Sequence, residues 1–149
     1  MIVLHKTDAS DARFQGLVGQ LDAELAVIDG EEHAFYHQYN HIDDIKYAIV
    51  AMEAGHAIAC GAIKHFDTNT VEVKRMYTLA DSRGKGLATN VLKALEDWAA
   101  ALGYQRCVLE TGRRQQDAIA LYQKNGYTSI PNYGQYIGVE NSVCFEKLV

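Results

Sequence analysis

The 149-residue chain contains one proline, three cysteines, no apolar run approaching ~18 residues and no excess of positive charge, and each shortage excludes a class of protein. A single proline among 12 glycines removes collagen-like and proline-rich low-complexity chains. Cys60, Cys107 and Cys144 form no CxxC pair and sit in apolar runs, which predicts reduced, buried thiols rather than disulfides or a zinc site. The opening Met1 to His5 has neither the basic segment nor the long apolar core of a signal peptide, so a cytoplasmic protein without a membrane segment is expected. A formal charge of −5 argues against nucleic-acid or anionic-membrane binding over the whole surface. What is present, 48% apolar and 22% charged residues, is the composition of a globular chain long enough to bury a core unaided; a single domain over residues 1–149 is expected.

The charge is unevenly placed. Residues 1–60 hold three Lys or Arg against ten Asp or Glu, while residues 61–149 hold eleven against nine. Within the second part, Lys74, Arg75, Arg83 and Lys85 face the single anion Asp81, a local positive excess in an acidic chain. A solvated charged loop would account for it, and so would an anion site.

Phe14, Leu17, Val18, Leu21 and Leu25 recur at helical spacing and predict a first helix ending near Asp29-Gly30. A further helical turn or two is expected within residues 33–40. Strands follow at 45–52, 56–66 and 71–79, an antiparallel meander with turns at Ala54-Gly55 and at 67–70. From Gly86 the apolar stripe Ala88, Val91, Leu92, Leu95, Ala99 and Leu102 predicts a helix stopped at Gly103. A strand at 106–110, a helix at 115–125 ended by Gly126, and strands at 127–130 and 143–148 complete the chain. A meander joined to a crossover unit makes an α/β (α+β) fold, a mixed and mostly antiparallel sheet flanked by helices.

The densest signal is Asp81-Ser-Arg-Gly-Lys-Gly-Leu-Ala88, between a strand and a helix. Two glycines allow a sharp turn that gathers amide hydrogens, and the helix beyond adds unpaired amides and a positive dipole end, so the loop is suited to an anion such as a phosphate. An ordinary strand-to-helix turn uses glycine too. Walker A spacing fails because Leu87 follows the second glycine, and the Rossmann pattern fails because Thr89 stands where its third glycine belongs.

Arg83-Gly-Lys-Gly-Leu-Ala88 resembles the R/Q-x-x-G-x-G/A loop of the GNAT superfamily of acyl-CoA-dependent N-acetyltransferases. The strand at 71–78 before it and Ala118-Ile-Ala-Leu-Tyr-Gln-Lys-Asn-Gly-Tyr127 after it resemble the neighbouring family motifs in the same order. The likeness is strong over residues 60–149, and Leu109 to Gly112 and Ser142 to Lys147 are similar to segments of small single-domain bacterial members. It implies that the amides of Arg83, Gly84, Lys85, Gly86, Leu87 and Ala88, with Thr89, hold the pyrophosphate of acetyl-CoA. Met76, Tyr77 and Thr78 would pair with its pantetheine arm through a bulge at 75–77. The implied activity is acetyl transfer to a primary amine by direct attack, with Glu72 as general base, Glu110 in reserve and Tyr122 as the acid beside the sulfur. Glu72 can equally pair with Lys74, whereas a core-aromatic role for Tyr122 ranks second because the surrounding motif matches the family. Phe35, Tyr36 and Tyr39 are pocket-wall candidates on the acceptor side, where small amines and protein lysines remain open. A homodimer follows only from its frequency in the superfamily. The rival reading on the same fold is a non-enzymatic acyl-CoA sensor or partner-binding module. His33, His37 and His41 share a helical spacing, but no carboxylate completes a metal motif, and no metal is expected.

Overall fold

The computed structural model describes residues 1–39, 41–42 and 44–149. One seven-stranded sheet runs through it in the order β1-β2-β3-β4-β5-β7-β6, with β1 at Ile2–Thr7, β2 at Tyr47–Glu53, β3 at His56–Asp67, β4 at Thr70–Thr78, β5 at Arg106–Gly112, β6 at Thr128–Ile130 and β7 at Ser142–Leu148. Only the β4–β5 pair is parallel, as a crossover connection through a helix requires. The apolar opening is thus a full strand, which edges the meander on β2.

Alternation in the strands assigns the two faces. Ala48, Val50, Cys60 and Ala62 pack with Phe14, Leu17 and Val18 of α1 (Ala12–Asp29). Ile49, Ala51, Ala59, Ile63, Val71 and Val73 pack on the other face against Leu87, Val91, Leu92, Leu95 and Ala99 of α3 (Leu87–Ala101), joined by Tyr122 of α4 (Gln116–Lys124). Short α2 (His33–His37) lies beyond α1. The predicted stripe on α3 is buried from Val91 to Ala99, while Ala88 is half-buried beside the loop groove and Leu102 is 41% exposed because the helix has already stopped. Gly103 and Gly126 take φ of +96° and +90°, the left-handed turns that close α3 and α4.

Two irregularities shape the centre of the sheet. On β4 the register slips between Cys60 and Ala62, so that Gly61 alone faces Arg75 and Met76, and Arg75 takes φ +59°. This is the expected bulge. It turns two successive side chains, Lys74 and Arg75, to the α1 side, where Lys74 Nζ donates to Tyr39 O at 2.9 Å and Arg75 reaches Asp22 at 2.5 Å. The second irregularity is a splay: β4 and β5 pair only from Thr70–Arg106 to Glu72–Val108, and beyond that the strands separate.

Candidate active site

The loop between β4 and α3 places Gly84 and Gly86 at φ +82° and +79°, a conformation side-chain-bearing residues adopt only with strain. Among the described residues, the amides of Gly84 to Thr89 have no backbone acceptor, and they open onto a groove of about 480 Å³ walled by Thr78, Ser82, Arg83, Leu121 and Lys124. Six free amides at a helix N-terminus fit a pyrophosphate. Gly86→Val would force a β-branched residue into the left-handed turn, so a phosphate-bearing ligand held by these amides should bind about tenfold or more weakly with the fold retained, as ligand titration and thermal melting would show.

The loop's charges are used unequally. Arg83 does not stand free over the amides: its guanidinium donates to Thr78 O at 2.9 Å, pairs with Glu24 of α1 at 3.0 Å and lies over the Tyr77 ring. Lys85 is exposed and without an ion-pair partner among the described residues, so it is the loop's available cation. Thr89 Oγ1 accepts from Asn125 Nδ2 at 3.2 Å, which ties the end of α4 to the start of α3.

From this groove a trench about 320 Å³ in volume runs between α1 and α4, past Met76, Tyr77 and Gln115. It leads to a cavity of about 110 Å³ in the splay, where Met76, Glu72, Glu110, Tyr122 and Tyr36 come together. Glu72 and Lys74 separate this cavity from an outer cleft lined by Tyr39, His41, His65 and Phe66. Phe35 lines neither space; it packs edge-on against Tyr36 and Tyr39.

The two glutamates differ in their surroundings. Both oxygens of Glu72 are engaged, Oε2 by the Tyr133 hydroxyl at 2.5 Å and Oε1 by Lys74 Nζ at 3.7 Å. The ion pair with Lys74 is therefore real, and it lies within the cavity wall. Glu110 accepts one bond, from Ser142 Oγ at 2.7 Å, and Tyr36 donates to the same Ser142 oxygen across 2.9 Å. Burial, reinforced by the charges of Glu72 and Asp29 and opposed by Ser142 and Lys74, pushes the Glu110 carboxyl up to about 7. The Tyr122 hydroxyl has no hydrogen-bond partner among the described residues, and burial together with the Glu110 charge raises it well above the ordinary phenol range. It remains a proton-bearing donor at any working pH.

Tyr133, Tyr136 and Ser142 do not stand out as site residues in the sequence. Their one signal is a pair of aromatics in the polar stretch 131–141, which Asn132 folds back by donating to the carbonyls of Tyr136, Val139 and Ser142. His33 and His37 lie on α2 with ring centroids 5.2 Å apart, and His41 beyond it has its ring centroid 6.5 Å from that of His37, both pairs tilted. Among the described residues, no three His, Cys, Asp or Glu side chains converge as a metal cluster, and no helix is long and apolar enough to cross a membrane.

The sequence profile of the Acetyltransferase (GNAT) family matches residues 17–127, a span that holds the glycine loop and the splayed strands β4 and β5. The chain belongs to the GNAT acetyltransferase family. An IAA acetyltransferase of Azospirillum brasilense is 34% identical over 150 residues, spanning 95% of this chain and 96% of its own. The crystal structure of a Klebsiella pneumoniae chain assigned to the acyl-CoA N-acyltransferases superposes with a TM-score of 0.84 at 29% identity, over 99% of this chain and 97% of that one. The fold is shared with the paiA N-acetyltransferase of Thermoplasma acidophilum in complex with coenzyme A, at a TM-score of 0.74 and 18% identity over 100% and 99% of the two chains. This GNAT member is an acyl-CoA-dependent acyltransferase, and its mixed sheet is the one that the meander and crossover pattern predicts.

Proposed function

We propose that the enzyme transfers the acetyl group of acetyl-CoA to a primary amine by direct attack in the cavity between β4 and β5, with Glu110 as general base and Tyr122 facing the sulfur. The observation that carries this reading is the pairing, in one small cavity, of a carboxyl near neutrality with a phenol that has no protein partner. Acetyl-CoA, when bound, supplies an activated acyl thioester. The loop amides from Gly84 to Thr89 and the cation of Lys85 hold its phosphates, and the β4 main chain at Met76 to Thr78 holds the arm.

An alkylammonium with a pKa of ~10.4 costs about 4–5 kcal/mol to deprotonate at pH 7, so a positioned acceptor for that proton is needed. Glu110 is favoured over Glu72 because Glu72 spends both oxygens on Tyr133 and Lys74, whereas Glu110 keeps one free and titrates near working pH. Glu110 takes the ammonium proton. The nitrogen–carbon bond then forms as the carbon–sulfur bond breaks, and the second nitrogen proton leaves with the thiol. Tyr122 donates a hydrogen bond where charge develops on sulfur; outright donation from a phenol raised this far would be uphill, so stabilisation is its role.

The test is CoA-thiol release from acetyl-CoA against a panel of amines. Release that requires an amine supports the reading. Stabilisation by CoA without turnover on any acceptor would replace it with the sensor reading. Tyr122→Phe should lower kcat by about 10–100-fold while the KM for acetyl-CoA stays within about threefold, since the lost hydrogen bond belongs to the transition state. An unchanged kcat would remove Tyr122 from the mechanism.

A further inference from the structure

The cavity holds one charged group that the transfer chemistry leaves unused. Asp29, the last residue of α1, is 4% exposed and lines the cavity, and its carboxylate has neither a hydrogen bond nor an ion pair among the described residues. Arg114 comes near but bonds the main-chain oxygens of Ile28 and Asp29 and the carboxylate of Glu32 instead. His33 and Glu32 are the other charged or titratable neighbours that act on it. Its oxygens are open to the cavity and not sealed, yet they find little water and no protein partner among the described residues, and a carboxylate at a helix C-terminus opposes the helix dipole, so in this setting Asp29 weakens the fold.

The other charges of the cavity wall cancel. Lys74 is taken by Glu72 and Tyr39 O, and Arg75 by Asp22; Arg75 Nε, though unpartnered, is sealed from solvent. Asp29 and Glu110 remain, close enough for the charge of one to act on the other. Two carboxyls without an ion-pair partner among the described residues, in a space of about 110 Å³, suit a small molecule bearing two separated cations.

Resting on the transfer reading above, we propose that Asp29 is a specificity anchor that holds a second ammonium of the acceptor while the first reacts beside Glu110. The acceptor class is then a small aliphatic diamine, in preference to a monoamine or an amino acid. An acceptor carboxylate in place of the second cation would face Asp29 with no free cation to receive it.

The experiment measures thiol release with α,ω-diaminoalkanes of three to six carbons, each against the monoamine of equal length, and with 4-aminobutanoate. It uses the wild type, Asp29→Asn and Asp29→Lys. The wild type should prefer at least one diamine over its monoamine and over 4-aminobutanoate. Asp29→Asn should cut that diamine-to-monoamine ratio of kcat/KM about tenfold, through KM, and should raise the thermal midpoint. Asp29→Lys should move the preference toward 4-aminobutanoate, a gain that a merely damaged fold does not give. A wild type without diamine preference, a ratio unchanged in Asp29→Asn, or a thermal midpoint lowered by that substitution would each overturn the anchor. Turnover of monoamines alone would sink the anchor and keep the transfer reading, whereas no release with any amine would sink both.

Discussion

Glu110→Gln should lower kcat by about 10²–10⁴-fold, the usual worth of a positioned general base, while leaving acetyl-CoA binding close to wild type. The wild-type enzyme should show a rise of kcat/KM with pH that levels off above about 7, because the carboxyl there must be ionised to accept a proton. The glutamine variant should lack that limb. Stability should move in the opposite direction. A carboxyl whose folded value is raised from 4.5 to about 7 contributes stability that is fully present below about 4.5 and is lost as pH rises through 7. Melting measured from pH 4.5 to 7.5 should therefore fall by an amount on the order of 2 kcal/mol in the wild type and by less in Glu110→Gln. If the variant keeps its kcat and its acid limb, Glu72 or a water-relayed base takes over the role.

Gly61→Ala should destabilise the protein by about 2 kcal/mol, roughly 5 °C in thermal midpoint, although it adds a single methyl group. An ideal Cβ at Gly61 would lie 2.5 Å from Met76 Sδ, 2.9 Å from Leu95 Cδ1 and 3.0 Å from Val91 Cγ1. The two contacts on α3 belong to a close-packed core and yield little. Met76 is the flexible neighbour, and it lines both the trench and the cavity. The substitution should therefore also raise the KM for acetyl-CoA several-fold. Combining it with Met76→Ala should recover part of the lost stability, and additive losses in that double-mutant cycle would show that the two residues do not compete for the same space.

Much of this site is legible in the amino-acid sequence, for reasons that are local in the chain. The loop from Arg83 to Ala88 carries its function in its own backbone, so two glycines followed by a helical stripe are enough to place it. The bulge shows itself because charges and aromatics in residues 72–78 break the alternation a regular strand would keep. Glu72 and Glu110 lie on strands that the crossover makes neighbours, so both are within reach of inference. What stays hidden depends on distant contacts. The pairing of Arg83 with Glu24 spans 59 positions, and the relay from Tyr36 through Ser142 to Glu110 joins α2, β7 and β5. Asp29 gives no signal at all, since an Asp-Gly pair at a helix end reads as an ordinary stop whether its side chain turns to water or inward. The preference for Glu110 over Glu72 likewise depends on Tyr133, which reaches β4 from 61 positions away.

The cysteines have a practical consequence. Cys60, Cys107 and Cys144 are each at most 1% exposed and sit on β3, β5 and β7, and burial pushes their thiols up to about 12, 11 and 11. A folded chain should be nearly silent toward thiol-directed dyes, so the CoA released in turnover can be followed continuously without a cysteine-free variant. The same silence makes each thiol a clock: with the dye in excess, the rate at which each cysteine becomes labelled reports how often its own strand opens, and the three strands can be timed separately in one molecule.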